Sequence, residues 1–260
     1  MGTTDPTAYP LYDEILADNP VAFWPLTADG ADHAGTRDLT VVGATFMADE
    51  QGDPFEGWVD TDGVDDYLET SSGIDLPGPM TIETWLWIPT SWGSAGTGAH
   101  PIGSNDRVGF RRAETTDRMG SVFRDDSGTD VGVDYGHWGD GYWDQAVPTF
   151  GAWQHWALTY DKSRTRAYLD GVLVADKDTS GNDLATGFDY FTFGAQRDQP
   201  TGGSLRRWFE GGIAFAATYD QALSATRIAA HYDAGTQGPS DGLTLTVDDV
   251  TSDSVTLSWS

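Results

Sequence analysis

Two stretches place aromatic rings beside glycines and acids. Ser91-Trp92-Gly-Ser-Ala-Gly-Thr-Gly-Ala-His100 carries Trp92 and His100, and Tyr135-Gly-His-Trp138-Gly-Asp-Gly-Tyr142-Trp143-Asp144 carries Tyr135, Trp138, Tyr142, Trp143 and Asp144. Tyr and Trp faces stack on sugar rings while a nearby carboxylate accepts hydroxyl hydrogen bonds, so these seven residues are candidate ligand-binding groups on exposed loops. The same rings could instead fold back over a sheet edge. A third stretch, Asp62-Gly-Val-Asp65-Asp66, is an acidic turn. Asp62 and Asp66 have a spacing at which two carboxylates could flank a glycosidic bond, but Gly63 places them in a turn. Asp29-Gly-Ala-Asp32-His33 reads as a solvated loop or a second cation site.

Other chemistry is excluded or unsupported. The chain has no Cys, which rules out thiol catalysis, disulfides and Cys-ligated zinc. His33, His100, His137, His155 and His231 show no ligand spacing. There is no Gly-x-Ser-x-Gly elbow, no His-Glu-x-x-His and no phosphate-binding loop. The expectation is a non-enzymatic protein.

Charge narrows the partners. Against 14 Lys+Arg stand 41 Asp+Glu, a formal net of −27, and only Lys162 and Lys177 are lysines. Such self-repulsion opposes compaction in dilute buffer. At about 1 M salt the Debye length shrinks to about 3 Å and the repulsion is largely screened. Short, strongly hydrated carboxylates with almost no lysine therefore point to a halophilic protein. Phosphate binding needs a basic face and none is visible, so nucleic acid is not an expected partner. No apolar run approaches a membrane span, and the first residues lack the basic and apolar regions of a signal peptide.

The elements that must position these groups are short strands. Thirty-two Gly and 12 Pro punctuate segments rich in Val, Ile, Thr and aromatics, the pattern of an all-β sandwich or barrel. The clearest pair is the hairpin 153–178. Trp156, Leu158 and Tyr160 alternate with Ala157 and Thr159, Tyr168 and Val172 are set to pair across from them, and Asp170-Gly171 fits a two-residue turn. These aromatics read as sheet builders rather than ligand contacts. Two short helices are expected, Tyr9–Ala17 before Asn19-Pro20, and Ala225–Ala234 capped by Ser224 with Gly235 at the C′ position.

Phe23-Trp24-Pro-Leu26, Asp62-Gly-Val-Asp-Asp-Tyr-Leu-Glu69, Met80-Thr-Ile-Glu-Thr-Trp85, the hairpin 153–178 and Phe209-Glu-Gly-Gly-Ile213…Tyr219-Asp-Gln-Ala-Leu-Ser224 resemble, in order, the landmarks of laminin-G-like (concanavalin A-like) jelly rolls. The resemblance implies two antiparallel sheets packed face to face and a protein that binds glycans or proteins at a surface, often with Ca²⁺. It predicts an arm with a short helix over 1–20, the jelly-roll over 21–235, a linker over 236–242, and, over 243–260, the first strands of what looks like a fibronectin type III domain. The pentraxin branch is similar at two loops, which implies Asp65, Asp66, Gln196, the Arg197 carbonyl and Asp198 as Ca²⁺ ligands. Two departures stand out. Gly212-Ile-Ala-Phe-Ala216 lacks the acids that members often carry before the last strand, and none of the seven Glu lies four from another, as the nucleophile and acid of related glucanases do.

The resulting expectation is a surface-display and binding module. It would be a virion structural protein, a capsid or tail projection of a halophilic archaeal virus that contacts host-surface glycan or glycoprotein. The alternative is a carbohydrate-binding or adhesion module of a secreted haloarchaeal protein. Other virion or surface-layer proteins are expected neighbours, and self-association stays open.

Overall fold

The computed structural model describes residues 4–48, 54–74, 76, 78–89, 98–104, 108–112, 119–123, 148–179, 190–197, 203–239, 245–250 and 255–259. They form an all-β, two-sheet jelly-roll sandwich with two α-helices. The first sheet runs, in spatial order, β12 (Val172–Asp178), β11 (Arg164–Leu169), β10 (Trp153–Tyr160), β6 (Met80–Trp87), β16 (Glu210–Tyr219), β4 (Gly57–Asp62) and β3 (Thr45–Ala48), with β1 (Ala22–Trp24) also on β16. The second runs β2 (Leu39–Val42), β5 (Tyr67–Thr70), β13 (Thr192–Phe193), β7 (Ile102–Ser104), β8 (Val108–Arg112) and β9 (Met119–Phe123). Two separate pairs are β14 (Gln196–Arg197) with β15 (Leu205–Arg206), and β17 (Leu245–Val250) with β18 (Val255–Trp259). All pairings are antiparallel.

The core between the sheets is built by alternation. Ile82 and Leu86 of β6, Trp156, Leu158 and Tyr160 of β10, Val59 of β4 and Ile213 of β16 point inward to meet Leu68, Ile102, Phe110 and Phe193 of the second sheet. Fully burying each such side chain contributes about 1.5–3 kcal/mol. The outward face of the first sheet is apolar as well. Trp85, Trp153, Ala157, Tyr168, Ala214 and Ala217 join Tyr9, Leu11, Ile15, Ile228 and Ala234 in a second cluster beneath the helices. Strands covered on both faces lose the polar half of their alternation, which is why all of β10 and nearly all of β6 are buried.

Both helices follow their local signals. In α1 (Pro10–Ala17), proline occupies the first turn, where its missing N–H costs nothing, and Leu11 and Ile15 share the buried face. In α2 (Ala225–Gly235), the Ser224 hydroxyl accepts from Arg227 N at 3.3 Å. Two expectations need correction here. Gly235 is not the C′ residue but the last helical position, buried where an added Cβ would stand 2.3 Å from Trp85 Cζ2. Tyr168 lies opposite Ala157 and so faces the helices rather than the core, and Val172 is 64% exposed.

Strand β16 contains a register shift between Ala214 and Ala217, where Phe215 has φ 48° and donates its N–H to Pro25 O at 2.9 Å. Before the shift Ile213 faces the inner core and Ala214 the helices; after it Ala216 faces inward and Ala217 outward.

Candidate functional site

The outward face of the first sheet has a covered end and an open end. At the open end the strand register sets Trp87 of β6 opposite both Trp153 of β10 and Gly212 of β16. Glycine at 212 matters. A Cβ there would stand 2.9 Å from Trp153 Cη2 and 2.9 Å from Trp58 Cδ1, so its absence lets those two indoles meet edge to face, centroids 5.8 Å apart at 73°. Trp58 and Trp87 remain half-buried.

Next to this row lies a cavity of about 390 Å³, lined by Pro54, Trp85, Trp153, Asp170, Tyr232 and Gln237 among others. Its walls come from three places. Trp85 and Trp153 rise from the sheet. Asp170 sits in the β11–β12 turn, where Asp170 (φ 50°) and Gly171 (φ 75°) both have positive φ, as a two-residue hairpin of the primed type requires. Tyr232 and Gln237 come from α2 and the residues after it. The turn is clamped to the helix, since a Cβ on Gly171 would lie 3.2 Å from Tyr232 Cβ. The Asp170 carboxylate is oriented by His155 N at 2.9 Å and Gln154 Nε2 at 3.0 Å. Each oxygen retains a lone pair for a further donor. Trp85 is held between Tyr232 (5.8 Å, 12°) and His155 (5.3 Å, 32°). Trp85 and Trp153 are 2% and 9% exposed, and neither indole Nε1 has a hydrogen-bond partner.

At the covered end, Glu83 of β6 is 1% exposed. It accepts from His231 Nδ1 (2.9 Å), His155 Nε2 (3.0 Å) and the Tyr219 hydroxyl. His231 Nε2 lies 3.2 Å from Asp18 Oδ2 of the α1 C-cap, and Arg227 joins Asp18 (2.8 Å) and Glu14 (2.6 Å). Burial alone would raise the Glu83 carboxyl, but the two imidazoles outweigh it and hold it well below the usual carboxylate range. Burial would lower His231, and Glu83 reverses that, leaving its pKa raised. Burial and the Glu83 charge together push the Tyr219 hydroxyl well up. This network pins α1 and α2 to the sheet and to each other.

The acidic turn lies elsewhere, between β4 and β5. Carboxylate oxygens of Asp62, Asp65 and Asp66 fall within 4.8 Å of one another. Burial would raise Asp62, but N–H groups of Val64, Asp65 and Asp66 lower it; burial and the Asp62 charge raise Asp66. The second loop does approach this turn, because a Cβ on Gly194 would stand 3.0 Å from Asp66 O. Its side chains, however, are engaged elsewhere. Gln196 is fully buried and its Oε1 accepts from Arg207 Nη1 at 3.3 Å, while the Arg197 guanidinium holds the Glu69 carboxylate through two donors and Gly203 O at 2.9 Å. The third carboxylate in the cluster is Asp62, outside the ligand set that the resemblance implies. Oxygens alone suit a hard cation such as Ca²⁺. Asp32 needs no cation, since its carboxylate accepts from Phe23, Ala34, Gly35 and Arg37 backbone N–H groups at 2.9–3.0 Å.

Of the loop residues, Trp92, Tyr135, Trp138, Tyr142, Trp143 and Asp144 lie outside the described residues, as does Asp198. His100 is a correction. It is fully buried rather than exposed, and its ring lies over the Gly103–Gly109 pair, where an added Cβ would come within 2.8 and 3.0 Å of Cε1. The cavity itself escaped the sequence reading, which took the hairpin aromatics as sheet builders and Asp170 as a turn residue. One signal was available, the alternation Trp85-Leu-Trp87 facing Gly212.

Residues 62–229 match the family model described as the concanavalin A-like lectin/glucanases superfamily, more than half of the chain. No curated protein matches the sequence. Similar solved structures include the binding domain of Paraclostridial Mosquitocidal Protein 1 (13% identity, TM-score 0.61, 84% of this chain and 52% of that one). Another is domain 4 of AbnA, a GH43 extracellular arabinanase from Geobacillus stearothermophilus, in complex with arabinotriose (17%, 0.58, 82% and 98%). A third is the ligand-binding domain of botulinum neurotoxin serotype D in complex with N-acetylneuraminic acid (12%, 0.58, 90% and 59%). The chain spans little more than half the length of the two toxin domains. At these identities the likeness is one of fold.

Proposed function

Because the chain belongs to the concanavalin A-like lectin/glucanases superfamily, we propose that it is a non-enzymatic carbohydrate-binding module displayed at a surface. The observation that carries this reading is the open end of the first sheet, where Trp85, Trp153, Tyr232 and an oriented Asp170 line a cavity of about 390 Å³ with Trp87 beside it. That volume lies within the roughly 300–1,000 Å³ common for ligand pockets. The arabinotriose and N-acetylneuraminic acid complexes of similar folds support a sugar as the ligand class.

In this reading the module is a capsid or tail projection on the virion of a halophilic archaeal virus, beside other virion proteins and against host glycan. The net charge of −27 supports work in brine. A melting temperature that rises steadily between about 0.1 and 1 M KCl, as the Debye length falls from about 10 to 3 Å, is expected; a flat profile overturns the halophilic assignment. A second reading, a carbohydrate-binding domain of a secreted haloarchaeal protein, is favoured by the arabinanase domain, 98% of which the chain covers. Capsid and tail genes beside the coding gene support the first, and a catalytic domain in the same chain the second. Ca²⁺ at Asp62, Asp65 and Asp66 and a fibronectin type III start in the β17–β18 hairpin belong to the same proposal. Calorimetric titration of the chelated protein with Ca²⁺ tests the former; absence of heat ends it. A glycan array in molar salt tests the function itself, with binding of at least one glycan class expected and none overturning it.

A further inference from the structure

We propose that the open end of the first sheet selects a neutral oligosaccharide, one ring seated in the cavity against Trp153 and Tyr232 with its hydroxyls on Asp170, and an adjoining ring lying over Trp87. This specificity rests on the carbohydrate-binding reading above.

The aromatic lining and an oriented acceptor converge on it. Gly212 lets the Trp58 and Trp153 indoles meet above it, with Trp87 as its immediate register neighbour, so aromatic surface extends from the cavity across the strands. The C–H faces of a sugar ring match such a surface, and an aromatic row of this width suits a chain of rings more than a single one. Trp85 and Trp153, both more than nine-tenths buried, form the fixed apolar floor of the cavity, their indole nitrogens sealed from solvent. Asp170 supplies the hydrogen-bond acceptor. It is held rigidly by two donors at 2.9 and 3.0 Å and by a turn clamped to α2.

Asp170 also sets the exclusion. In molar salt the long-range field of the acidic surface is screened away, but a carboxylate in contact with the ligand inside a partly desolvated cavity is not. A sialic acid, uronic acid or sulfated sugar would bring a second anion against it, and the lining of Pro54, Trp85, Trp153, Asp170, Tyr232, Thr236, Gln237 and Gly238 contains no Lys or Arg to compensate.

The test is an array of matched neutral, sialylated, uronate-containing and sulfated glycans in about 2 M KCl, followed by titration of the best neutral hit. Trp87→Ala and Asp170→Asn are compared with the unaltered chain, and near-ultraviolet circular dichroism checks that each variant keeps its fold. The expected result is neutral binding with acidic glycans at least tenfold weaker, and a loss of tenfold or more in both variants. Trp87 is half-buried at the rim, so its removal leaves the core intact; Tyr232→Ala is a second rim variant should Trp87→Ala fail to fold. Equal binding of neutral and acidic glycans, or binding undiminished in the folded variants, overturns the specificity and the site while leaving a carbohydrate-binding module. Failure of every glycan to bind overturns both.

Discussion

The same three strands carry two unlike surfaces. Moving along β6 from Glu83 through Trp85 to Trp87, along β10 from His155 to Trp153, and along β16 from Tyr219 to Gly212, the outward face passes from a buried ion network to an aromatic cavity open to solvent. At the covered end the ionisable groups pair with one another, with His155 Nδ1 alone among the described network atoms left without a partner. Glu83 faces two imidazoles and a phenol, and Arg227 faces two carboxylates. At the open end the polar groups are fewer, and two indole donors are unmatched. The difference separates a pinned end from an open one: the covered end fixes α2, and the last turn of α2 makes one wall of the cavity.

That division can be broken most forcefully at Glu83. Glu83→Gln removes the carboxylate that two buried histidines share, and breaking a buried pair costs about 3–5 kcal/mol. At about 2–4 °C per kcal/mol for a domain of this size, the melting temperature should fall by about 10 °C. Glycan binding should weaken with it if α2 is the common part, and a drop under about 2 °C would show that the network does not hold the helix. Gly235→Ala asks the same question from the cavity side. Alanine gains about 1 kcal/mol in helix propensity, but its methyl would overlap Trp85, a clash worth about 1–3 kcal/mol. The net expectation is a loss of about 1 kcal/mol in thermal melts, together with tenfold weaker sugar binding because Trp85 must shift. Unchanged affinity would disconnect α2 from the site.

The gentlest probe is pH. His231 has a raised folded pKa, so its contribution is complete below its ordinary value of 6.5 and fades as pH climbs through the folded pKa. Glu83 has a depressed one, so its contribution is complete above 4.5 and fades as pH falls toward the folded pKa. Melting temperature at constant molar salt should therefore be highest between about pH 4.5 and 6.5, declining by a few degrees on either side. A maximum above pH 8 would mean that His231 is neutral in the fold.

Much of the architecture was legible because it is written in short periods. The limits of β2 and β11, the Asp170-Gly171 turn, the inward set Trp156, Leu158 and Tyr160, and the Ser224 cap all agree with local pattern. Strand β3 carries little local signal because it is an exposed edge with little alternation, and β7 because Ile102-Gly-Ser104 is too short to show any. The site was harder for a different reason. Trp153 and Asp170 were in view, but periodicity says that two faces differ without saying which one a helix will cover. Where both faces of β10 are apolar, it says even less. Glu83 looked solitary because its partner His231 lies 148 positions away, a distance that no local spacing spans.

The irregularity at Phe215 in β16 has a consequence beyond its own geometry. Gly212 and Tyr219 are an odd number of residues apart, so in a regular strand they would project to opposite sides of the sheet. The bulge resets the phase, and only then do the glycine beneath Trp58 and Trp153 and the phenol on Glu83 share one surface. The strand works as two half-strands read in different frames. Straightening the strand with every residue kept would carry the tyrosine into the core and away from Glu83, whereas deleting the one extra residue would leave the two positions six apart and in phase, so the bulge is what reconciles this residue count with one continuous outward surface.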